Sequence, residues 1–143
     1  MFIGEFRHNL DNKGRLAIPA KFRKDLVSGA VVTKGLDDCL FLYPKKDWEV
    51  LAQKLTTLPI SQANSRAFSR LMLSGAVEAD LDVQGRILIP DYLRQYANLG
   101  KRAVITGLYN RVEIWDEKTW LDYKAKTEKN SSEIAEKLGE LGI

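Results

Sequence analysis

The chain has 143 residues, 45% hydrophobic and 29% charged, with a net charge of +3 at pH 7, which suits one compact domain or two small units sharing a core and argues against disorder. No apolar run approaches the ~18 residues of a membrane-spanning helix, and Met1-Phe2-Ile3-Gly4-Glu5-Phe6-Arg7 lacks the basic-then-apolar order of a secretory signal, so a cytoplasmic protein is expected. One cysteine, Cys39, and one histidine, His8, leave no disulfide and no Cys/His zinc site, and any catalytic triad would have to route through His8; with no phosphate-loop or dinucleotide glycine motif either, neither enzymatic activity, cofactor, metal nor small-molecule substrate is expected.

In chain order, Glu5 to Leu10 reads as a short extended segment and Asp11-Asn12-Lys13-Gly14 as a turn. Asp and Asn accept local backbone hydrogen bonds and Gly tolerates positive φ, which predicts a hairpin between the strands on either side. Arg15-Leu16-Ala17-Ile18 alternates, so Leu16 and Ile18 face a core and Arg15 points away from it. Pro19 suits the first position of a helix. Phe22 and Leu26 form the inward face of that helix, Lys21 and Lys24 fall on other faces, and Arg23 lies beside Phe22. The helix ends near Ser28-Gly29. Ala30 to Thr33 and Cys39 to Tyr43 read as the strands of a second hairpin, stopped by Pro44, with Cys39 as a small core residue. Two helices follow, separated by Pro59: Lys45 to Thr57 with Trp48, Leu51 and Leu55 at helical spacing, and Gln62 to Leu73 with Ala67, Phe68, Leu71 and Met72 on one face.

The chain then begins again. Leu81-Asp82-Val83-Gln84-Gly85-Arg86-Ile87-Leu88-Ile89-Pro90 restates Leu10-Asp11-Asn12-Lys13-Gly14-Arg15-Leu16-Ala17-Ile18-Pro19 as Leu-Asp-x-x-Gly-Arg-apolar-x-Ile-Pro, and an arginine follows each at the same offset, Arg23 and Arg94. Val104 to Leu108 and Val112 to Trp115 match the second hairpin, and Trp120 matches Trp48. The spacing is 71 residues at the motif and 72 at the tryptophans, so one supersecondary unit is used twice in an α+β fold. The expected divisions are 1–48 for the first repeat, 49–75 for the inter-repeat helices, 76–119 for the second repeat and 120–143 for carboxyl-terminal helices. In the last of these, Ile134, Leu138 and Leu141 form an apolar stripe, which reads first as core, while the surplus of amphipathic helix over a small β unit offers subunit packing as a second reading.

The two copies are not electrically equivalent. From Arg7 through Lys24 six basic residues (Arg7, Lys13, Arg15, Lys21, Arg23, Lys24) face one acid, Asp11, a local charge of +5, whereas Glu78 through Gln95 comes to −2. Duplex DNA carries one charge per ~1.7 Å of axis, so a binder needs several Lys or Arg on one surface, and the first copy supplies them. Arg15 on a protruding turn is able to bond guanine O6 and N7 bidentately, while Lys13 suits a phosphate. The bland alternatives are that Asp11 with Arg15 and Asp82 with Arg86 merely staple their own turns, that His8 is a solvated strand residue, and that the basic face serves an acidic protein in an assembly module.

The repeated motif, with its following helix and hairpin, resembles the AbrB family of swapped-hairpin DNA-binding barrels, and two copies in a chain of this length resemble the MraZ family. The opening Met1-Phe2-Ile3-Gly4-Glu5-Phe6, the paired Asp11/Arg15 and Asp82/Arg86, and the run from Gly107-Leu108 to Trp115-Asp116 fit the same family. The resemblance implies two AbrB-like halves about a pseudo-twofold axis in a swapped-hairpin β-barrel with flanking helices. It also implies a nucleoid-associated transcriptional repressor of the cell-division and cell-wall gene cluster that binds its own promoter as a ring-shaped homo-oligomer. By position, the family's DNA-contacting residues fall on His8, Arg15, Arg23 and Lys24, and in the second copy on Ala79, Arg86, Arg94 and Gln95, of which two are not basic. The candidate DNA-binding set is therefore Arg7, His8, Lys13, Arg15, Lys21, Arg23, Lys24 and Arg86.

Overall fold

In the computed structural model, which describes residues 1–143, the first repeat supplies β1 (Phe2–Asn9), β2 (Arg15–Ala17), α1 (Ala20–Leu26), β3 (Ala30–Lys34) and β4 (Leu40–Pro44). Helices α2 (Lys45–Thr56) and α3 (Ala63–Ser69) follow, and α3 runs into a π-helical turn, Arg70–Ser74. The second repeat gives β5 (Val77–Glu78), β6 (Arg86–Leu88), α4 (Asp91–Tyr96), β7 (Arg102–Tyr109) and β8 (Val112–Asp116), then α5 (Glu117–Lys129), α6 (Ser131–Lys137) and a 3₁₀ turn, Gly139–Leu141. No helix is long and apolar enough to cross a membrane.

The expected first hairpin does not form. The Asp11–Gly14 turn is made, with Gly14 N–H donating to Asp11 O over 3.0 Å, but β1 and β2 share only the single bridge Leu10↔Leu16. Each strand finds its partner in the other repeat instead. β1 pairs along its whole length with β7, from Phe2↔Tyr109 to Asn9↔Arg102, and β2 pairs with β6 through Arg15↔Leu88, Leu16↔Ile87 and Ala17↔Arg86. Pairing across the duplication buries Leu16 and Ile87 completely. By contrast the β3/β4 and β7/β8 hairpins form within their repeats as expected.

The ladder order is β1-β7-β8-β4-β3-β5, antiparallel throughout, with β2-β6 as a separate ribbon. The two hairpins are joined at β4·β8, and each repeat lends one strand to the other's hairpin: β1 to β7, β5 to β3. The fold is thus α+β, but β1 and β5 remain edges and the ladder does not close into a barrel.

Alternation along β3, β4, β7 and β8 sends side chains to both faces of the sheet, and both are covered. On one face Val32, Leu40, Leu42, Ile105 and Ile114 pack with Leu16, Ile18, Ile87 and Ile89 of the ribbon region and with Phe22, Leu26 and Leu93 of α1 and α4. Phe22 meets both Phe2 and Phe6 edge-on, with ring centroids 5.1 and 5.2 Å away. On the other face Cys39, Phe41, Tyr43, Val104 and Trp115 pack with Leu55, Met72, Trp48, Phe68 and Trp120 from the helices. Three local expectations shift. Pro19 sits just before α1, at φ −50° and ψ 135°, because its own conformation is extended. Ala67 is exposed, and Phe68 and Met72, four residues apart, make the inward face without it. The Ile134, Leu138 and Leu141 stripe lies in solvent.

Candidate nucleic-acid interface

The β2/β6 ribbon and the turn before each strand form one surface, built twice. In the first turn Asp11 Oδ1 accepts the backbone N–H groups of Lys13 and Arg15, each at 2.9 Å, and Oδ2 accepts Arg15 Nε at 2.8 Å. In the second, Asp82 Oδ1 accepts the N–H groups of Gln84 and Arg86 at 2.9 Å, and Oδ2 accepts Arg86 Nε at 2.9 Å. The ribbon continues past β2 and β6 through Ile18 N–H to Gly85 O (3.0 Å) and Ile89 N–H to Gly14 O (2.8 Å). Backbone donors hold both carboxyls below the ordinary carboxylate range: the N–H of Arg15 on Asp11 and of Arg86 on Asp82 outweighs the opposing desolvation, and the guanidinium of the same arginine and the N–H of Lys13 or Gln84 add to it. The stapling contact is therefore present in both copies. It engages only Nε, and the two Nη groups of Arg15 carry no hydrogen bond.

The pseudo-symmetry also unites the two arginines. Because Ala17 faces Arg86 across the ribbon, Arg86 Nη1 comes within 3.8 Å of Asp11 Oδ2, so Asp11 faces two guanidinium groups. The charge difference between the copies, read along the chain, does not separate them in space.

The remaining arginines of the motif cross over. Arg23 on α1 donates through Nε to Ile18 O at 2.9 Å and lies against Gly85 of the second turn; Arg94 on α4 donates through Nη1 to Ile89 O at 3.0 Å and lies against Gly14 of the first. Gly14 at φ +85° and Gly85 at φ +76° need glycine twice over, for the backbone conformation and for the close approach of these guanidinium groups. Arg23 is thus occupied in positioning a turn.

The other candidates divide. Lys13 is exposed on the first turn, in a groove of about 430 Å³ shared with Asn9, Asp11, Arg15 and Lys101. Lys21 and Lys24 are exposed on α1, and Lys24 borders the second turn at Asp82 and Val83. His8 is half-buried on the α1 side of β1, where burial first and then the charge of Arg23 push its pKa below the ordinary value, leaving a neutral imidazole at pH 7. Arg7 points to the opposite face and pairs with Glu5 at 3.1 Å and Glu117 at 3.6 Å. The fold does not bring it to the ribbon.

Lys101 was not foreseen. It reaches the first turn because Leu10 N–H donates to its carbonyl over 2.8 Å, at the end of the β1/β7 ladder. Its place is visible only once β1 is known to pair with β7. No cluster of His, Cys, Asp or Glu could hold a metal ion, and burial pushes the Cys39 thiol pKa far up, so this sulfur is no nucleophile at neutral pH.

The chain matches the model of the family described as "MraZ protein, putative antitoxin-like" twice, over residues 1–71 and 72–140. It is 51% identical to the transcriptional regulator MraZ of Natranaerobius thermophilus and 52% identical to that of Halothermothrix orenii, in each case over 143 residues and 100% of both chains. It is 53% identical to the transcriptional regulator MraZ of Pelotomaculum thermopropionicum, over 100% of this chain and 99% of the relative. All three relatives are named as transcriptional regulators and not as enzymes. A tandem match to one family and identity above half from end to end make this chain a member of the MraZ family.

Proposed function

We propose that this protein is a sequence-specific DNA-binding transcriptional regulator that reads duplex DNA with the outward face of the β2/β6 ribbon and its two turns. The observation that carries the proposal is the state of Arg15: gripped at Nε by Asp11 and free at both Nη groups, it is a preset fork for guanine O6 and N7 in a major groove wide enough for a two-stranded ribbon. Arg86, drawn to the same carboxylate, adds a second guanidinium to that surface. Lys13 and the unforeseen Lys101 suit phosphates on one side, and Lys21 and Lys24 on the other. Arg23 contributes by holding the second turn, while Arg7, on the opposite face and paired with Glu5 and Glu117, and the neutral His8 stand outside the reading surface.

One ribbon makes few phosphate contacts, so a monomer would bind weakly, and a ring of copies on repeated DNA boxes converts this into avidity. The exposed apolar residues of the helices support such a homo-oligomer. Membership of the family supports the finer reading: a nucleoid-associated repressor of the cell-division and cell-wall gene cluster, acting at its own promoter. It also supports taking the exchange of β1 and β5 between repeats, bounded at 1–48 and 76–119, as the swapped-hairpin arrangement about a pseudo-twofold axis. In a gel-shift titration on the region upstream of its own gene, Arg15→Ala is expected to lose specific binding, with far-ultraviolet circular dichroism unchanged. Retention of wild-type affinity by that folded variant would sink the proposal.

A further inference from the structure

Two exposed features of the chain complement each other and do not meet within it. The first is the carboxyl-terminal segment. Neither α6 nor the 3₁₀ turn buries a residue, and Ile134, Leu138 and Leu141 are 41%, 39% and 74% exposed. Spaced i, i+4, i+7, they share one stripe. Glu133 and Glu140 lie along one side of it and Glu136 on the far face, with Lys137, paired to Glu133 at 3.8 Å, as the only basic residue, a charge of −2 over residues 131–143.

The second is a groove of about 280 Å³ between α2 and α3, whose apolar lining is Leu55, Leu58, Ile60 and Leu73. Arg66 and Arg70 stand at this groove. Arg66 Nη1 donates to Ile60 O at 3.0 Å, and neither arginine has an acidic partner anywhere in the chain, in a segment (residues 45–74) that carries +3. No hydrogen bond or ion pair joins this segment to residues 131–143.

We propose that in the assembled protein the carboxyl-terminal segment of one copy lies in the α2/α3 groove of the next, its apolar stripe on Leu58, Ile60 and Leu73, with Glu133 and Glu140 on Arg66 and Arg70. The occupant is a second copy because the chain itself carries an uncovered segment of the matching pattern, apolar stripe and opposite charge together. The contact joins two different surfaces, so it is heterologous, the kind of contact that builds a ring when its rotation closes. It rests on the homo-oligomer reading above and says which surfaces make it.

Charge reversal in full-length protein tests it. Arg66→Glu with Arg70→Glu makes groove and tail both acidic; Glu133→Arg with Glu140→Arg makes both basic. Each variant alone is expected to fall by light scattering to the monomer mass of 16.2 kDa. An equimolar mixture, in which every groove meets a tail of opposite sign, is expected to recover the wild-type mass. In parallel, Leu138→Cys protein mixed with Leu58→Cys protein is expected to give a disulfide-linked pair on oxidation, and Leu138→Cys with Val83→Cys, at the tip of the second turn, none. A wild type that is itself monomeric overturns the homo-oligomer reading and this inference with it. An oligomeric wild type whose reversed variants keep their mass, or fail to recover it on mixing, overturns the tail-in-groove contact alone, and so does equal cross-linking to Leu58→Cys and Val83→Cys.

Discussion

The two oxygens of Asp11 do separate work: Oδ1 holds the turn through backbone N–H groups, and Oδ2 orients Arg15. Asn keeps the first and replaces the second with an amide that cannot accept from Nε. Asp11→Asn is therefore expected to leave the thermal midpoint close to wild type while promoter affinity, measured by gel shift, falls about tenfold as Arg15 loses its preset orientation. Lys13 touches no base in this reading. Lys13→Ala is expected to weaken binding to all sequences alike and to lower the slope of log affinity against log salt by about one. The pH dependence belongs to His8. Its folded pKa is depressed, so as pH falls through the ordinary value of 6.5 the unfolded chain takes up a proton that the folded chain refuses, and stability declines. Glu5, Asp11 and Asp82 do not contribute in that window, because their pKa values are held below 4.5, 3.8 and 3.8 and their support is lost only in stronger acid. The urea midpoint is expected to drop between pH 7.5 and 5.5 in wild type and to drop less in His8→Gln.

Among the elements, helices, hairpins and turns were legible wherever a local pattern sufficed. Phe22 and Leu26 on α1, the β3/β4 hairpin and the Trp48-Leu51-Leu55 face of α2 follow from spacing within a dozen residues. Partner choice was not local. The Asp11–Gly14 turn chemistry fixes a reversal of the chain but says nothing about which strand β2 will join, and the duplication that revealed two turns could not reveal that their strands pair with each other. The crossed arginines were hidden for the same reason. Arg23 and Arg94 were visible as an equal offset, and one of them as a DNA contact, but each reaches a glycine in the other repeat. Gly14→Ala is expected to cost about 1–3 kcal/mol in urea unfolding: a Cβ there would strike the Arg94 guanidinium and sit 2.7 Å from Ile89 O, at a φ that alanine resists. Arg94→Ala leaves the Ile89 carbonyl without its side-chain donor and is expected to cost about 1–2 kcal/mol with DNA contact by Arg15 preserved.

For the whole molecule, the repeats are not independent domains. β1 needs β7, β2 needs β6, and β4 needs β8. A fragment of residues 1–75 is therefore expected to be unfolded by circular dichroism, or to pair with a second fragment, and in neither case to run as a folded monomer in light scattering. The crossed arginines carry this dependence into time. The ribosome makes Arg23 and Arg94 71 residues apart, and at ~5–20 residues per second the second follows the first by about 4–14 s. Until then Gly85 does not exist for Arg23 to cover, and the first turn has no Arg94 upon it. A nascent chain that has exposed every basic residue of its first repeat thus still lacks the ribbon proposed to read DNA, and an incompletely translated chain is expected to be silent at DNA rather than a partial binder of it.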